Sequence, residues 1–205
     1  MEPNRTLFAV LKLDSEKTET IISNVLKMLS NRIFIDKSGN KNPLIDLEKA
    51  KNSIVLGPDG TYTLVANNRD TYAIKIIFQK ISAISKQSVI SEFFKDYPTQ
   101  KKIIIARDFN NKIAEHVSKH STQIFRESSL LQDIISHRDQ PIFELLSPKE
   151  AELFKAEYNA TDYTTKKLLR SDAITKYYNL RRGDVVRIIR PSPTSGESID
   201  YRIVY

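Results

Sequence analysis

Asp59, in the turn Gly57-Pro58-Asp59-Gly60, is the carboxylate of this chain best placed to do chemistry. Metal-dependent nucleases hold Mg²⁺ with a carboxylate at such a turn, and with an acid and a lysine two residues apart on a following strand to orient the attacking water. The second half of that constellation is absent. No Asp or Glu in the chain has Lys two positions later, and the segment Thr71–Phe78, where the pair would stand, carries only Lys75. His116 and His120 are four apart, a spacing that can set two imidazoles on one zinc ion. Between them run Val117-Ser118-Lys119, with no glutamate to serve as base, and the third histidine, His137, is distant, so both are read as surface residues. The chain has no cysteine, hence no thiolate nucleophile and no disulfide. No serine lies in a Gly-x-Ser-x-Gly elbow, and the five glycines spell no phosphate-binding loop. Arg182-Gly183-Asp184, before an apolar run, reads as a turn. No catalytic residue, metal or cofactor is expected, with a degenerate nuclease kept as an alternative.

The elements that would carry these residues follow from periodicity. Ile21, Ile22, Val25, Leu26, Met28 and Leu29 recur at helical spacing, predicting an amphipathic helix from Ser15 to Asn31, and Ile33–Ile35 predicts a short strand. Ser38–Pro43 reads as a mobile loop. Tyr62, Leu64 and Ala66 alternate, as do Tyr72, Ile74, Ile76 and Phe78, predicting a hairpin around Asn67–Asp70. A helix carrying Val89, Ile90, Phe93 and Phe94 should precede the run Ile103–Ala106, which suits a strand covered on both faces. A helix over Asn110–Lys119 and a strand over Gln123–Arg126 complete an α/β, three-layer domain for residues 1–136. Residues 137–146, including His137-Arg138-Asp139-Gln140-Pro141, read as a linker. Residues 147–205 then form a small α+β domain. Ser147-Pro148-Lys149-Glu150 is a capping box opening a helix to Tyr158, Ser171 is expected to cap another, and Asp184–Arg190 and Ile199–Tyr205 should be strands.

The net charge is +7, and its placement is more telling than its size. Between Lys166 and Arg190 stand eight basic residues against the two acids Asp172 and Asp184. Such a stretch reads as a phosphate-facing surface, as a docking face for an acidic protein, or as an ordinary solvated face of Lys and Arg. Six of the nine tyrosines lie after residue 150, where core packing and a protein interface suit them better than base stacking, since no RNA-recognition signature surrounds them. The amino terminus Met1-Glu2-Pro3-Asn4-Arg5 lacks a signal-peptide layout and no apolar run reaches a membrane span, so a soluble intracellular chain is expected.

The last thirty-five residues read Ser171-Asp172-Ala173-Ile174-Thr175-Lys176-Tyr177-Tyr178-Asn179-Leu180, then Arg181-Arg182-Gly183-Asp184-Val185-Val186-Arg187-Ile188-Ile189-Arg190, then Thr194-Ser195-Gly196 and Tyr201-Arg202-Ile203-Val204. This resembles the carboxy-terminal domain of the fifth subunit of multisubunit DNA-directed RNA polymerases, shared by the eukaryotic enzymes and with a shorter archaeal counterpart. The likeness extends upstream through Leu146-Ser147, Glu150 and Tyr158. Ala173 replaces the family's helix-entry proline, Asn179 a glycine, and Thr165-Lys166 a Leu-Pro. Asn tolerates the left-handed backbone region, which keeps the turn available.

The resemblance implies a noncatalytic subunit whose carboxy-terminal domain docks on the largest polymerase subunit. The amino-terminal domain would form part of the lower jaw near downstream duplex DNA. Docking is thereby implied for Asp172, Tyr177, Leu180, Arg181, Arg182, Gly183, Val185, Val186, Ile188, Gly196, Tyr201 and Arg202. Of these, Gly183 and Gly196 would set turns, Val186 and Ile188 core, and Arg181, Arg182 and Arg202 surface contacts. The loop Arg107–Lys112 resembles the family's jaw loop, placing Asn110, Asn111 and Lys112 near DNA phosphates. Other polymerase subunits are expected partners, and neither a membrane nor a second copy of the chain is. Abundant Lys, Ile and Asn suggest an AT-rich genome, which favours a version from a large cytoplasmic DNA virus of the African swine fever virus type, in host cytoplasm and virion. A nuclear, cellular version is the alternative, and a freestanding nonspecific DNA-binding protein the alternative function.

Overall fold

The structure, a computed structural model, describes residues 13–36, 38–83, 88–161 and 163–205, so the amino-terminal stretch read above for a signal layout lies outside the described residues. In chain order the first elements are α1 (Asp14–Asn31), β1 (Ile33–Ile35), β2 (Lys41–Pro43), α2 (Leu47–Ser53), β3 (Val55–Leu56), β4 (Thr61–Val65), β5 (Thr71–Ile81), α3 (Val89–Asp96) and β6 (Lys101–Phe109). There follow α4 (Asn111–Ser118), β7 (Thr122–Arg126), α5 (Glu127–Leu130), β8 (Ile142–Leu145), α6 (Pro148–Glu157), β9 (Lys166–Leu168), α7 (Ala173–Tyr178), β10 (Val185–Ser192) and β11 (Gly196–Val204). The fold is mixed α/β. Two compact units divide it: one holds the described residues up to Lys27 with Ile45–Asp133, the other Met28–Leu44 with Ile134–Tyr205. The expected division at residue 136 thus needs correction, because Met28–Leu44 belongs with the carboxy-terminal residues.

The first unit is built on the sheet β3-β4-β5-β6-β7. The expected hairpin is present as β4 and β5, antiparallel with Tyr62 opposite Ile74. β5, β6 and β7 run parallel, each joined to the next through a helix, as a parallel pair requires. Ile103, Ile104, Ile105 and Ala106 are all 0% exposed, so helices must cover both faces of β6. On one face Ile104 and Ala106 pack with Ile90 and Phe93 of α3 and Ile113 and Val117 of α4. On the other, Arg107, in phase with Ile103 and Ile105, reaches Asp14 of α1 at 3.8 Å and Glu127 of α5 at 3.7 Å. There Lys17 and Glu127, both nearly buried, pair at 3.0 Å.

The second unit carries the sheet β8-β10-β11-β9, with β9 parallel to β11 and the other pairs antiparallel. Side chains alternate across it and each face has its own core. Val186 and Ile188 pack with Leu168, Leu180 and Val204 on one side. Val185 and Ile203 pack with Leu146 and Phe154 of α6 on the other. The predicted capping box is formed: Ser147 Oγ accepts the Glu150 N–H, and the Glu150 carboxylate accepts the Ser147 N–H at 2.6 Å.

Three further expectations are corrected here. The stretch read as a mobile loop includes β2, paired with β1, and its turn is held by the Asp36 carboxylate, which accepts the N–H groups of Ser38 and Asn40. The segment read as linker includes β8, laid against β10 with Glu144 opposite Arg187. Asp172, one residue past the expected Ser171, caps α7.

Candidate docking surface

The basic turn after α7 is fixed by a series of local bonds. The Asp172 carboxylate accepts the Ile174 N–H at 2.8 Å, satisfying one of the amides that a first helical turn leaves unpaired. At the other end Asn179 adopts φ 53°, ψ 43°. Its N–H donates to the Lys176 carbonyl at 3.2 Å while Leu180 N–H donates to Thr175 at 2.9 Å, the paired bonds of a Schellman ending. The chain is thereby turned so that Leu180, 8% exposed, enters the core.

Arg181 to Asp184 form the next turn. The Asp184 N–H donates to the Arg181 carbonyl at 3.1 Å, and the Asp184 carboxylate accepts the Arg181 N–H at 2.7 Å. Gly183, at φ 92°, takes a conformation that a side chain would strain. Its N–H donates to Val204 at 2.9 Å, and Val204 N–H returns a bond to Asp184. The arginine pair is therefore mounted on a turn tied to β11. Both arginines are exposed. The Arg182 guanidinium stands 5.1 Å from the Tyr205 ring centroid, and the Lys167 ammonium 4.4 Å from the same ring. One aromatic ring thus holds two cations, at about 0.5–1 kcal/mol each for such exposed contacts. Lys167 and Tyr205 were not among the sequence-derived docking residues, although the basic count already included Lys167.

The remaining docking residues separate by burial. Leu180, Val185, Val186 and Ile188 are between 1% and 8% exposed, so they pack inside the unit and not on its surface. Tyr201 stacks on Phe154, with centroids 4.4 Å apart at 24°, and secures α6. Tyr177 is engaged internally: its hydroxyl accepts from Asn31 at 3.0 Å and its carbonyl from Arg32 Nε at 2.7 Å. Arg32, 3% exposed, also donates to the Lys176 carbonyl and so caps α7 with a charge suited to a helix carboxyl end. No local pattern marks Arg32 as the cap of α7, because Tyr177 and Lys176 lie more than 140 residues away. Gly196, at φ 75°, sits at the tip of the β10–β11 hairpin.

Arg202 is half-committed, with Nε 3.4 Å from Asp200, which also accepts from Lys166 at 2.9 Å. Burial works against the Asp200 carboxylate, but those two cations outweigh it and hold its pKa below the usual range. Arg187 pairs with Glu144 across the β8–β10 ladder, and that carboxylate raises the guanidinium further. Arg181 and Arg182 remain the most available cations of the expected set.

In the first unit, Asn110, Asn111 and Lys112 are all exposed where β6 passes into α4. Asn110 is the N-cap: its Oδ1 accepts the Ile113 N–H at 3.0 Å and its Nδ2 donates to the Ser82 carbonyl at 3.4 Å. Beside it Asp108 accepts from Arg126 at 3.1 Å, which holds its carboxylate below the usual range. Asn111 and Lys112 are the two that project from a helix amino end.

Among the described residues, those weighed for catalysis do not come together in any group of three or more His, Asp or Glu that could hold a metal ion. Asp59 accepts from Thr61 Oγ1 and N–H and from the Tyr97 hydroxyl, with Lys75 Nζ at 3.6 Å. The Thr61 hydroxyl is the main cause holding its carboxylate low. The His116 and His120 rings lie 5.4 Å apart, and His120 stacks on Phe94.

The family described as RNA polymerase Rpb5, C-terminal domain, matches residues 132–204. The chain is 49% identical over 204 residues, the full length of both, to the DNA-directed RNA polymerase subunit 5 of Acanthamoeba polyphaga mimivirus. It is 26% identical over 199 residues, 93% of this chain and 98% of the relative, to the subunit rpabc1 of DNA-directed RNA polymerases I, II, and III of Dictyostelium discoideum. A third relative, subunit RPABC1 of the same three enzymes in Caenorhabditis elegans, is 28% identical over 149 residues, 69% of this chain and 71% of the relative.

Proposed function

The chain belongs to the Rpb5 family of DNA-directed RNA polymerase subunits, and we propose that within the enzyme it is a noncatalytic assembly subunit, docked on the largest subunit through the turn Arg181–Asp184. The observation that carries this reading is the exposed arginine pair on a turn bonded to β11 and flanked by Lys167 and Tyr205. Nearly buried Leu180 and Val186 hold that turn in place from beneath. The partner surface should be acidic. Rigid presentation lowers the ordering cost of association.

The first unit is assigned to the lower jaw, beside downstream duplex DNA. Asn111 and Lys112 contact phosphates there without reading sequence. Phosphodiester chemistry and its metal belong to other subunits. One copy serves each polymerase, in the host cytoplasm and virion of a large DNA virus, a setting supported by the full-length mimivirus relative.

The test is the double substitution Arg181→Glu with Arg182→Glu. Both side chains are exposed, so the fold should survive and incorporation into polymerase should be lost, as read by affinity purification of the tagged chain with the two largest subunits. A folded double variant that is incorporated normally would overturn the docking assignment. DNA binding by the isolated wild-type chain, steeply salt-dependent and without a large protein partner, would favour the freestanding reading instead.

A further inference from the structure

We propose that a cleft in the first unit, at the end of the sheet where β6 begins, binds a nucleotide, with its phosphate on Lys102 and Lys119 and its base against the stacked His120 and Phe94 rings. The proposal rests on this unit alone and is independent of the docking turn. The cleft holds about 500 Å³ and is walled by the last turn of α3, the segment Pro98–Lys102 and the residues just after α4. That volume lies within the ~300–1,000 Å³ typical of small-ligand sites. Among the described residues, no carboxylate lines it.

Lys102 is the central observation. It is 4% exposed, and among the described residues its ammonium donates to the carbonyls of Gln100, at 3.0 Å, and Pro98, at 3.5 Å. Its neighbour Lys101 is neutralised by Asp70, whereas no carboxylate among the described residues lies within ion-pair distance of Lys102. Burial pushes the Lys102 ammonium below the ordinary lysine range. A buried cation without a counter-charge is costly, and a bound anion would offset that cost.

The carbonyl ends of α3 and α4 both abut the cleft and oppose an anion, with about half a negative charge each. Against roughly one unit in total stand the two full charges of Lys102 and Lys119, so the balance stays attractive. Two further features select a nucleotide over a simple anion. His120 stacks on Phe94 with centroids 4.6 Å apart at 27°, a flat platform of the kind that bases occupy. The Gln100 side-chain oxygen is buried with no hydrogen-bond donor among the described residues, and a ribose hydroxyl or base amino group would supply one.

Isothermal titration of the full chain with adenosine monophosphate, a 5′-phosphorylated single-stranded trinucleotide, inorganic phosphate and an acidic peptide tests this. Saturable binding of the monophosphate identifies a free nucleotide as ligand, and saturation by the trinucleotide alone identifies a strand; either upholds the site. Lys119 is exposed, so Lys119→Glu should fold and weaken binding by about tenfold or more. His120→Ala should weaken the nucleotide while leaving inorganic phosphate unchanged, and Lys102→Met should abolish both. Saturation by neither nucleotide probe, an unchanged affinity in Lys119→Glu, or saturation by the acidic peptide alone overturns the proposal.

Discussion

Replacing Glu150 by Gln should make the second unit less stable at neutral pH and should remove a pH dependence that the native chain has. Glu150 accepts from Lys41, the largest cause of its shift, and from the Ser147 N–H, and these together outweigh burial and lower its pKa from 4.5 to about 2. Were the carboxylate shielded from water, that difference would correspond to about 3 kcal/mol at ~1.4 kcal/mol per pH unit. Its side chain is 47% exposed and that of Lys41 is 32% exposed, so solvent screening reduces the figure to about 1 kcal/mol.

A folded-state pKa below the unfolded one stabilises the protein fully above pH 4.5, and the contribution is lost as pH falls toward 2. Gln can still accept the Ser147 N–H, so Glu150→Gln removes the charge and keeps the capping box. Hydrogen exchange of β10 amides reports the second unit by itself. The stability gap between native and Glu150→Gln chains should be about 1 kcal/mol at pH 7 and should narrow as pH falls through the window. A gap that is absent at pH 7, or that stays constant down to pH 3, would refute the electrostatic account.

Two further outcomes follow from packing and backbone geometry. Ile104→Ala should destabilise the first unit by about 3 kcal/mol, since Ile104 is 0% exposed between the sheet and helices α3 and α4; urea titration followed by exchange of β6 amides measures it, and a loss below ~1 kcal/mol would contradict the packing described. Asn179→Gly should stabilise the second unit by about 0.5 kcal/mol and Asn179→Ala should destabilise it by ~1 kcal/mol, because φ 53° penalises a Cβ; equal stabilities from thermal melts would rule that out.

Local patterns were legible wherever local chemistry dominates. The helix carrying Ile21 and Val25, the hairpin at Asn67–Asp70, the doubly covered strand Ile103–Ala106 and the Ser147 capping box all stand close to their predicted bounds. The left-handed Asn179 was likewise readable, since few residue types tolerate that backbone. Short strands were not. Lys166–Leu168 and Ile142–Leu145 are too brief for alternation to register, and each exists because a neighbouring strand offers it a ladder. Lys41–Pro43 looked like a loop because its polar and proline residues disfavour a strand, yet pairing with Ile33–Ile35 and the Asp36 turn impose one.

By itself the sequence determined the mixed α/β class, the polymerase-subunit likeness and the concentration of positive charge between Lys166 and Arg190. These depend on residue type and on spacing within a few positions. Only the tertiary structure decided which members of that basic stretch are available: Arg187 and Lys166 are drawn into ion pairs, while Arg182 shares the Tyr205 ring with Lys167. It also decided that Met28–Leu44 belongs with the carboxy-terminal residues, through Arg32 at the end of α7, and that Lys102 is buried with no carboxylate among the described residues at ion-pair distance. Such facts depend on which side chains meet across long stretches of chain, and burial sets the strength of each charge only after that meeting is fixed.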